Sequence, residues 1–134
     1  MPPTSSPSQF SQLLLVEDNA PLARSLARFF RHSERAVTVA GSGGEVDTLG
    51  AHCFDVGIFD LELPDADGAT LATRLLASGM VRRAIFYSGC SDHLRVERAR
   101  AVGPVIKKDR GFHALLEALT QQAPSQAPAE AEGL

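Results

Sequence analysis

Short apolar runs alternate along the chain with segments in which apolar residues recur at helical spacing. The continuous runs have the length of buried strands, and the longer segments between them carry one apolar face each. The predicted strands are 12–17, 36–40, 54–60, 83–88 and 104–107. The first predicted helix starts at Asn19-Ala20-Pro21, because Asn is a good N-cap and Pro suits the first turn. The other predicted helices cover 44–52, 69–78, 92–102 and the segment around Phe112 to Leu119.

This alternation of strands and helices predicts one α/β domain. Strands that alternate with helices form a parallel sheet, and right-handed crossovers place helices on both of its faces. We expect the domain to span residues 11–122. Residues 1–10 are interpreted as a flexible lead. Residues 123–134 are rich in Ala, Pro, Gln and Glu without apolar periodicity, which is typical of a linker or disordered tail.

Residues with reactive or charged side chains come at the ends of the apolar runs. Glu17 and Asp18 follow the first run, Asp60 follows the third, and Ser88 and Lys107 close the fourth and fifth. In an open parallel sheet the carboxyl ends of the strands lie at one edge, which is where such folds bind ligands. Three carboxylates, a hydroxyl and an ammonium at that edge predict a site for a divalent cation and a phosphoryl group.

The carboxylates have distinct expected roles. Adjacent Glu17 and Asp18 repel each other unless a cation is close, and Mg²⁺ suits such hard oxygen ligands. Asp60 is a candidate nucleophile that accepts a phosphoryl group, with a metal neutralising the incoming charge. The alternatives are ordinary ones: Asp18 as a helix cap in a solvated turn, and Asp60 as a polar end to a buried strand.

Ser88 and Lys107 complete the predicted site. The Ser88 hydroxyl can donate a hydrogen bond to a phosphoryl oxygen, and Gly89 lets the backbone come close. Lys107 can pair with the carboxylates, while Lys108 is expected to point away because side chains alternate along a strand. In the alternative interpretation, Ser88-Gly89 is only a turn and both lysines are surface charges.

Composition narrows the functional classes. The chain has 134 residues, 44% of them hydrophobic, and a net charge of −3, so electrostatics does not favour direct binding to nucleic acid or an anionic membrane. No apolar run is long enough to span a bilayer, and the N-terminus lacks the features of a signal peptide. With only Cys53 and Cys90, a disulfide scaffold is not expected, and a reducing cytoplasm is the predicted compartment.

The set of strand-end residues, in this order, resembles the receiver domain of bacterial two-component response regulators over roughly residues 12–122. The resemblance implies a flavodoxin-like (βα)5 fold with a five-stranded parallel sheet in the order 2-1-3-4-5. It also implies that Mg²⁺ is bound by Glu17, Asp18, Asp60 and the backbone carbonyl of Glu62.

The resemblance further implies a signalling role rather than enzymatic turnover. A sensor histidine kinase or phosphotransfer protein would phosphorylate Asp60, Ser88 and Lys107 would respond to the phosphoryl group, and an effector protein would read the face formed by residues 92–119. The family usually has a proline after the lysine and often an aromatic residue three positions before it. Here those positions are Lys108 and Pro104, and an aromatic switch is not expected.

Two other functions remain open from the sequence. A pseudo-receiver would bind proteins without phosphorylation, as the departures at Pro104 and Lys108 suggest. A phosphatase of the haloacid dehalogenase type also has an acid two residues after its aspartate, as in Asp60-Leu61-Glu62, but its metal-binding acids follow the lysine instead of preceding it. The carboxylate of Glu62 is additionally expected to lie near the phosphoryl group and change its lifetime.

Overall fold

The computed structural model of the protein describes residues 12–126. Its strands are β1 (Gln12–Val16), β2 (Ala36–Ala40), β3 (Val56–Phe59), β4 (Ala84–Ser88) and β5 (Val105–Lys107). Its α-helices are α1 (Ala20–His32), α2 (Gly43–Asp47), α3 (Gly68–Ser78), α4 (His93–Arg100) and α5 (Gly111–Gln126), and a 3-10 turn at Lys108–Arg110 joins β5 to α5.

All neighbouring strands are parallel, and they follow the order β2-β1-β3-β4-β5. The predicted flavodoxin-like fold class and strand order are therefore confirmed. Val16 is the register partner of Phe59, and Ser88 is the partner of Lys107. Strands β1 and β3 therefore end level, as do β4 and β5, and the residues that follow β1 and β3 lie at the same place at the carboxyl edge.

The sheet separates two apolar layers, because successive side chains of each strand point to opposite faces. One layer contains Leu14, Phe59 and Phe86 and packs against α2, α3 and α4. The other contains Leu13, Ile58 and Ile85 and packs against α1 and α5. With both faces covered, the central strands are buried along their length, which explains their continuous apolar runs.

Side-chain caps fix where the helices begin. The Asn19 side chain accepts a hydrogen bond from the Leu22 N–H at 3.0 Å, as expected for the start of α1. Asp67 caps α3 and Asp92 caps α4 in the same way. The second helix is shorter than the predicted 44–52, since α2 ends at Asp47 and Gly50 then adopts a left-handed φ of 73°.

The structure describes most of the predicted domain and the start of the predicted tail. Helix α5 continues to Gln126, beyond the domain boundary predicted at residue 122. Residues 1–11 and 127–134 lie outside the described part of the chain, and the division into lead, domain and tail stays a prediction. Among residues 12–126, no helix is both long enough and apolar enough to cross a membrane.

Strand β2 forms one edge of the sheet. The Arg31 guanidinium, on α1, donates a hydrogen bond to the backbone carbonyl of Val37 at 2.9 Å. Val39, two residues further along, is 41% exposed. The arginine therefore satisfies a carbonyl of the edge strand that has no strand beside it.

Candidate functional site

Three carboxylates converge at the carboxyl edge of the sheet. Glu17 and Asp18 directly follow β1, and Asp60 directly follows the neighbouring strand β3. One oxygen of each carboxylate lies within 4.8 Å of the others. Glu17 and Asp60 are only 3% and 7% exposed, whereas Asp18 is exposed to solvent. Such a cluster of negative charge requires a positive group beside it.

The positive group in the structure is Lys108. Its Nζ lies 3.1 Å from Oε1 of Glu17 and 3.3 Å from Oδ2 of Asp60. The prediction that Lys107 faces the carboxylates and Lys108 points away is wrong: Lys107 is exposed, and no ion pair joins it to the described acids. Strand alternation stops at Lys107, and the 3-10 turn that begins at Lys108 directs the next side chain over the sheet edge.

Because the site lysine is Lys108, the family positions that are counted from the lysine also move by one residue. The position after the site lysine is Asp109, and the position three residues before it is Val105. Neither is the proline or the aromatic residue that the resemblance leads one to expect, so both departures persist at new positions. The Tyr87 hydroxyl donates a hydrogen bond to the Lys108 carbonyl at 3.2 Å, which helps to hold the turn.

The electrostatics of the ion pairs follow from burial. Burial raises the pKa of the Glu17 carboxyl, and the backbone N–H of Asn19, which donates to Glu17 at 3.1 Å, opposes that rise. Burial also acts to lower the pKa of Lys108, but the hydrogen bonds and charges of Glu17 and Asp60 outweigh it and the pKa is raised. Lys108 therefore stays cationic and compensates two carboxylates that are largely removed from water.

Ser88 lies at the end of β4, beside the strand that leads to Asp60. Its side chain is buried, and its Oγ accepts a hydrogen bond from the Cys90 N–H at 3.0 Å. Gly89 lies near the site lysine, since a Cβ built on it would be 3.9 Å from Cδ of Lys108. The hydroxyl at the end of β4 and the ammonium of the turn that follows the neighbouring strand β5 thus lie at the same edge of the sheet.

The backbone around Asp60 is closely packed. The Glu62 N–H donates to Oδ1 of Asp60 at 3.3 Å, and the Gly68 N–H donates to the Leu61 carbonyl at 2.9 Å. A Cβ on Gly68 would collide with the backbone oxygen of Asp60. Glycine is therefore required at residue 68 so that the start of α3 can approach the residue that carries the central carboxylate.

Two further contacts involve the loop between β3 and α3. Both oxygens of Asp65 accept backbone hydrogen bonds at the start of α2, from Gly43 at 2.9 Å and from Gly44 at 3.0 Å. Arg95 of α4 contacts Asp67 with its Nε at 3.3 Å and Glu62 with its Nη1 at 3.9 Å. Sequence reasoning missed these contacts, and no local pattern marks them, because the paired residues are far apart along the chain.

A family model described as the response regulator receiver domain matches residues 13–120. The chain belongs to this family. Receiver domains are signalling domains of two-component systems. The flavodoxin-like architecture and the acidic cluster described above agree with this assignment.

Solved structures of similar fold share little sequence identity with this chain. A CheY-like receiver domain protein from Methanospirillum hungatei has 22% identity and a TM-score of 0.76, with 88% of this chain and 97% of that chain covered. A response regulator from Burkholderia pseudomallei, solved with a phosphorylated aspartic acid, calcium and citrate, has 26% identity and a TM-score of 0.72, with 91% and 74% covered.

A curated relative, the transcriptional activator protein PfeR of Pseudomonas aeruginosa, is 38% identical over 65 residues, which is 48% of this chain. The matched segment spans only 21% of PfeR, so the similarity concerns a small part of that protein.

Proposed function

We propose that this receiver domain accepts a phosphoryl group on Asp60 and thereby switches a protein-interaction surface. The observation that carries the proposal is the arrangement of Asp60 beside Glu17 and Asp18, with Lys108 3.3 Å from its carboxylate. Asp60 is largely buried, so its oxygen is oriented by its surroundings. A carboxylate that is held in place and compensated by charge is suited to nucleophilic attack on phosphorus.

The proposed donor is a phosphohistidine of a sensor kinase or a phosphotransfer protein. An Asp60 oxygen attacks the phosphorus and forms an O–P bond, while the P–N bond of the donor breaks. The leaving imidazole nitrogen retains the electron pair of that bond and takes up a proton. The product is an acyl phosphate on Asp60, and no oxidation or reduction accompanies its formation.

Mg²⁺ fits the chemistry of the donor set. Glu17, Asp18 and Asp60 offer carboxylate oxygens within 4.8 Å of one another, and hard oxygen ligands are those that Mg²⁺ prefers. We assign the backbone carbonyl of Glu62 to the same site. A bound Mg²⁺ would neutralise negative charge on the phosphoryl group as it approaches Asp60.

The response is assigned to Ser88 and Lys108. The Ser88 hydroxyl can donate to a phosphoryl oxygen, and the ammonium of Lys108 can exchange its carboxylate partners for the phosphate. Ser88 precedes the segment 92–119 and Lys108 lies within it; this segment includes α4, β5 and the first half of α5. We propose this face as the one that an effector protein recognises, in a cytoplasmic signalling pathway.

The relatives give independent support. The Burkholderia pseudomallei regulator was solved with a phosphorylated aspartic acid, and the TrrA protein from Thermotoga maritima, 20% identical with a TM-score of 0.71 over 81% of this chain and 96% of that one, was solved with Mg²⁺ and beryllofluoride. The family match favours a receiver over the phosphatase alternative. A phosphorylation-independent pseudo-receiver stays as the second candidate, because Val105 and Asp109 depart from the family pattern.

Treatment with acetyl phosphate and Mg²⁺, followed by intact-mass measurement, separates the two candidates. We expect the protein to gain one phosphoryl group that hydroxylamine releases, and Asp60→Asn to gain none. Asp55→Asn is the matched control, since Asp55 precedes β3 at the opposite edge of the sheet. Asp18→Ala should lose both Mg²⁺ binding and Mg²⁺-dependent phosphorylation. If Asp60→Asn is labelled as well as the control, Asp60 is not the acceptor, and if no variant is labelled, the pseudo-receiver is correct.

A further inference from the structure

Arg95 joins helix α4 to the loop that follows Asp60. Its guanidinium lies between two acids of that loop, 3.3 Å from Oδ1 of Asp67 and 3.9 Å from Oε2 of Glu62. The arginine side chain is 36% exposed, and the Asp67 side chain is 23% exposed. The Glu62 side chain is 61% exposed. The contact of Arg95 with Asp67 is therefore partly shielded from solvent, whereas its contact with Glu62 lies at the surface.

Asp67 anchors this arginine. Oδ2 of Asp67 accepts hydrogen bonds from the N–H and the hydroxyl of Thr70, at 3.1 and 3.2 Å. Oδ1 is buried and accepts no aligned hydrogen bond among the described residues, although Nε of Arg95 lies 3.3 Å away. A buried carboxylate oxygen without a donor is costly, and the positive charge of Arg95 beside it reduces that cost.

The second acid, Glu62, is close to Asp60, the proposed phosphoryl acceptor. It is two residues after Asp60, and its N–H donates to the Asp60 carboxylate at 3.3 Å. Glu62 also pairs with Asp67 through an isolated antiparallel β-bridge, which fixes the backbone of Glu62 close to Asp60. Without a partner, the Glu62 carboxylate would add negative charge beside the group that receives a phosphate.

We propose that Arg95 is a positioning residue that holds the Glu62 carboxylate away from the phosphoryl site, so that the placement of α4 controls the charge at Asp60. The proposal rests on the proposed function of Asp60. It makes α4 a source of control over phosphorylation as well as a segment that responds to it, because displacement of α4 removes the partner of Glu62.

Helix α4 is suited to such a role because few apolar residues hold it. Val96 and Ala99 are its buried residues, while Leu94 is 67% exposed. Arg98, on the same helix, is exposed and has no ion pair among the described residues. It therefore offers a matched control that removes the same charge without touching the loop.

The test measures the initial rate of phosphorylation by acetyl phosphate, with intact-mass detection, for Arg95→Gln, Arg95→Lys and Arg98→Gln in the natural and Glu62→Gln backgrounds. Arg95→Gln should slow phosphorylation about threefold, since the freed carboxylate repels the anionic donor and exposed ion pairs have effects of this size. Arg95→Lys should restore most of the rate, and Arg98→Gln should change it less than about twofold. In the Glu62→Gln background, Arg95→Gln should have almost no effect.

The outcomes are distinguishable. An equal decrease in rate for Arg95→Gln and Arg98→Gln would mean that only overall charge matters. If Arg95→Gln slows phosphorylation as much in the Glu62→Gln background as in the natural one, Arg95 does not act through Glu62. Either result overturns the inference while Asp60 remains the acceptor. If the natural protein is not labelled at all, the proposed function fails and this inference fails with it.

Discussion

Nζ of Lys108 lies 3.1 Å from Oε1 of Glu17, and the glutamate side chain is only 2% exposed. A buried carboxylate that loses such a partner retains an uncompensated charge, which is strongly unfavourable. The same ammonium also contacts Asp60 at 3.3 Å. Lys108 thus neutralises the carboxylates that the proposed Mg²⁺ site would use, so a bound Mg²⁺ would compete with its ammonium for them.

This competition predicts the effect of removing the lysine. Lys108→Gln should bind Mg²⁺ several-fold more tightly than the natural protein, because the loss of a neighbouring positive charge favours the metal by on the order of 1 kcal/mol. Lys107→Gln is the matched control and should leave the affinity unchanged, since Lys107 is exposed. Calorimetric Mg²⁺ titration checks both. Equal affinities for the two variants would show that Lys108 does not compete with the metal.

The strand ends explain how much of this site was predictable. Continuous apolar runs mark buried strands, and a parallel sheet brings their carboxyl ends together, so the location of Glu17, Asp60 and Ser88 at one edge follows from the sequence. The sequence does not predict that Lys108, instead of Lys107, contacts the carboxylates, because this depends on the 3-10 turn after β5. Strand periodicity gives no information about a side chain once the strand has ended.

The contacts of the β3–α3 loop were beyond prediction for a different reason. Asp65 is hydrogen-bonded to residues 21 and 22 positions earlier in the chain. Arg95 pairs with acids that belong to another crossover. These partners are set by how the crossovers pack on one face of the sheet, and neither spacing nor composition encodes that packing.

Asp65 should make stability depend on pH in the acid range. The N–H groups of Gly43 and Gly44 lower the pKa of its carboxyl, so the folded state favours the ionised form. Its stabilising effect is therefore fully present above the pKa of the unfolded chain, about 3.9, and is lost as the pH falls through the lower folded value. Asp65→Asn should lower the midpoint of thermal unfolding at neutral pH.

The difference between Asp65→Asn and the natural protein should begin to shrink below about pH 4 and should be smallest below the lowered pKa of the folded state, where the natural carboxyl is also neutral. Thermal unfolding followed by circular dichroism across pH measures this difference. Glu117→Gln, an exposed charge change on α5, serves as the control. A difference that stays constant down to the lowest pH would contradict the role of the ionised carboxylate.

Gly68 should tolerate no side chain. A methyl group there meets the backbone oxygen of Asp60, so Gly68→Ala should destabilise the fold by about 1–3 kcal/mol or displace Asp60. Gly89→Ala is the control from the same site, because its new methyl group would lie 3.9 Å from Cδ of Lys108, an ordinary van der Waals distance. Urea unfolding gives the free energies, and similar stability for the two variants would show that α3 can move away from Asp60 at little cost.

Phosphorylation should alter the start of α4 more than any aromatic side chain. Val105 occupies the position three residues before Lys108, and Tyr87 packs in the apolar layer beside α1 and α5. Hydrogen exchange with and without beryllofluoride should therefore change mainly in residues 88–102, where apolar anchoring is weak. Asp60→Asn should show no change. Protection changes centred on 20–50 would place the response elsewhere.

The contact between Arg31 and the Val37 carbonyl also affects how this sheet meets other chains. An unpaired edge strand attracts further strands, and proteins limit such growth with charged side chains at the edge. A foreign strand that paired with β2 would first have to displace the guanidinium and then bring its own backbone up to a positive charge. One arginine thus discourages edge-to-edge aggregation at β2 while leaving the carboxyl edge of the sheet open to its partners.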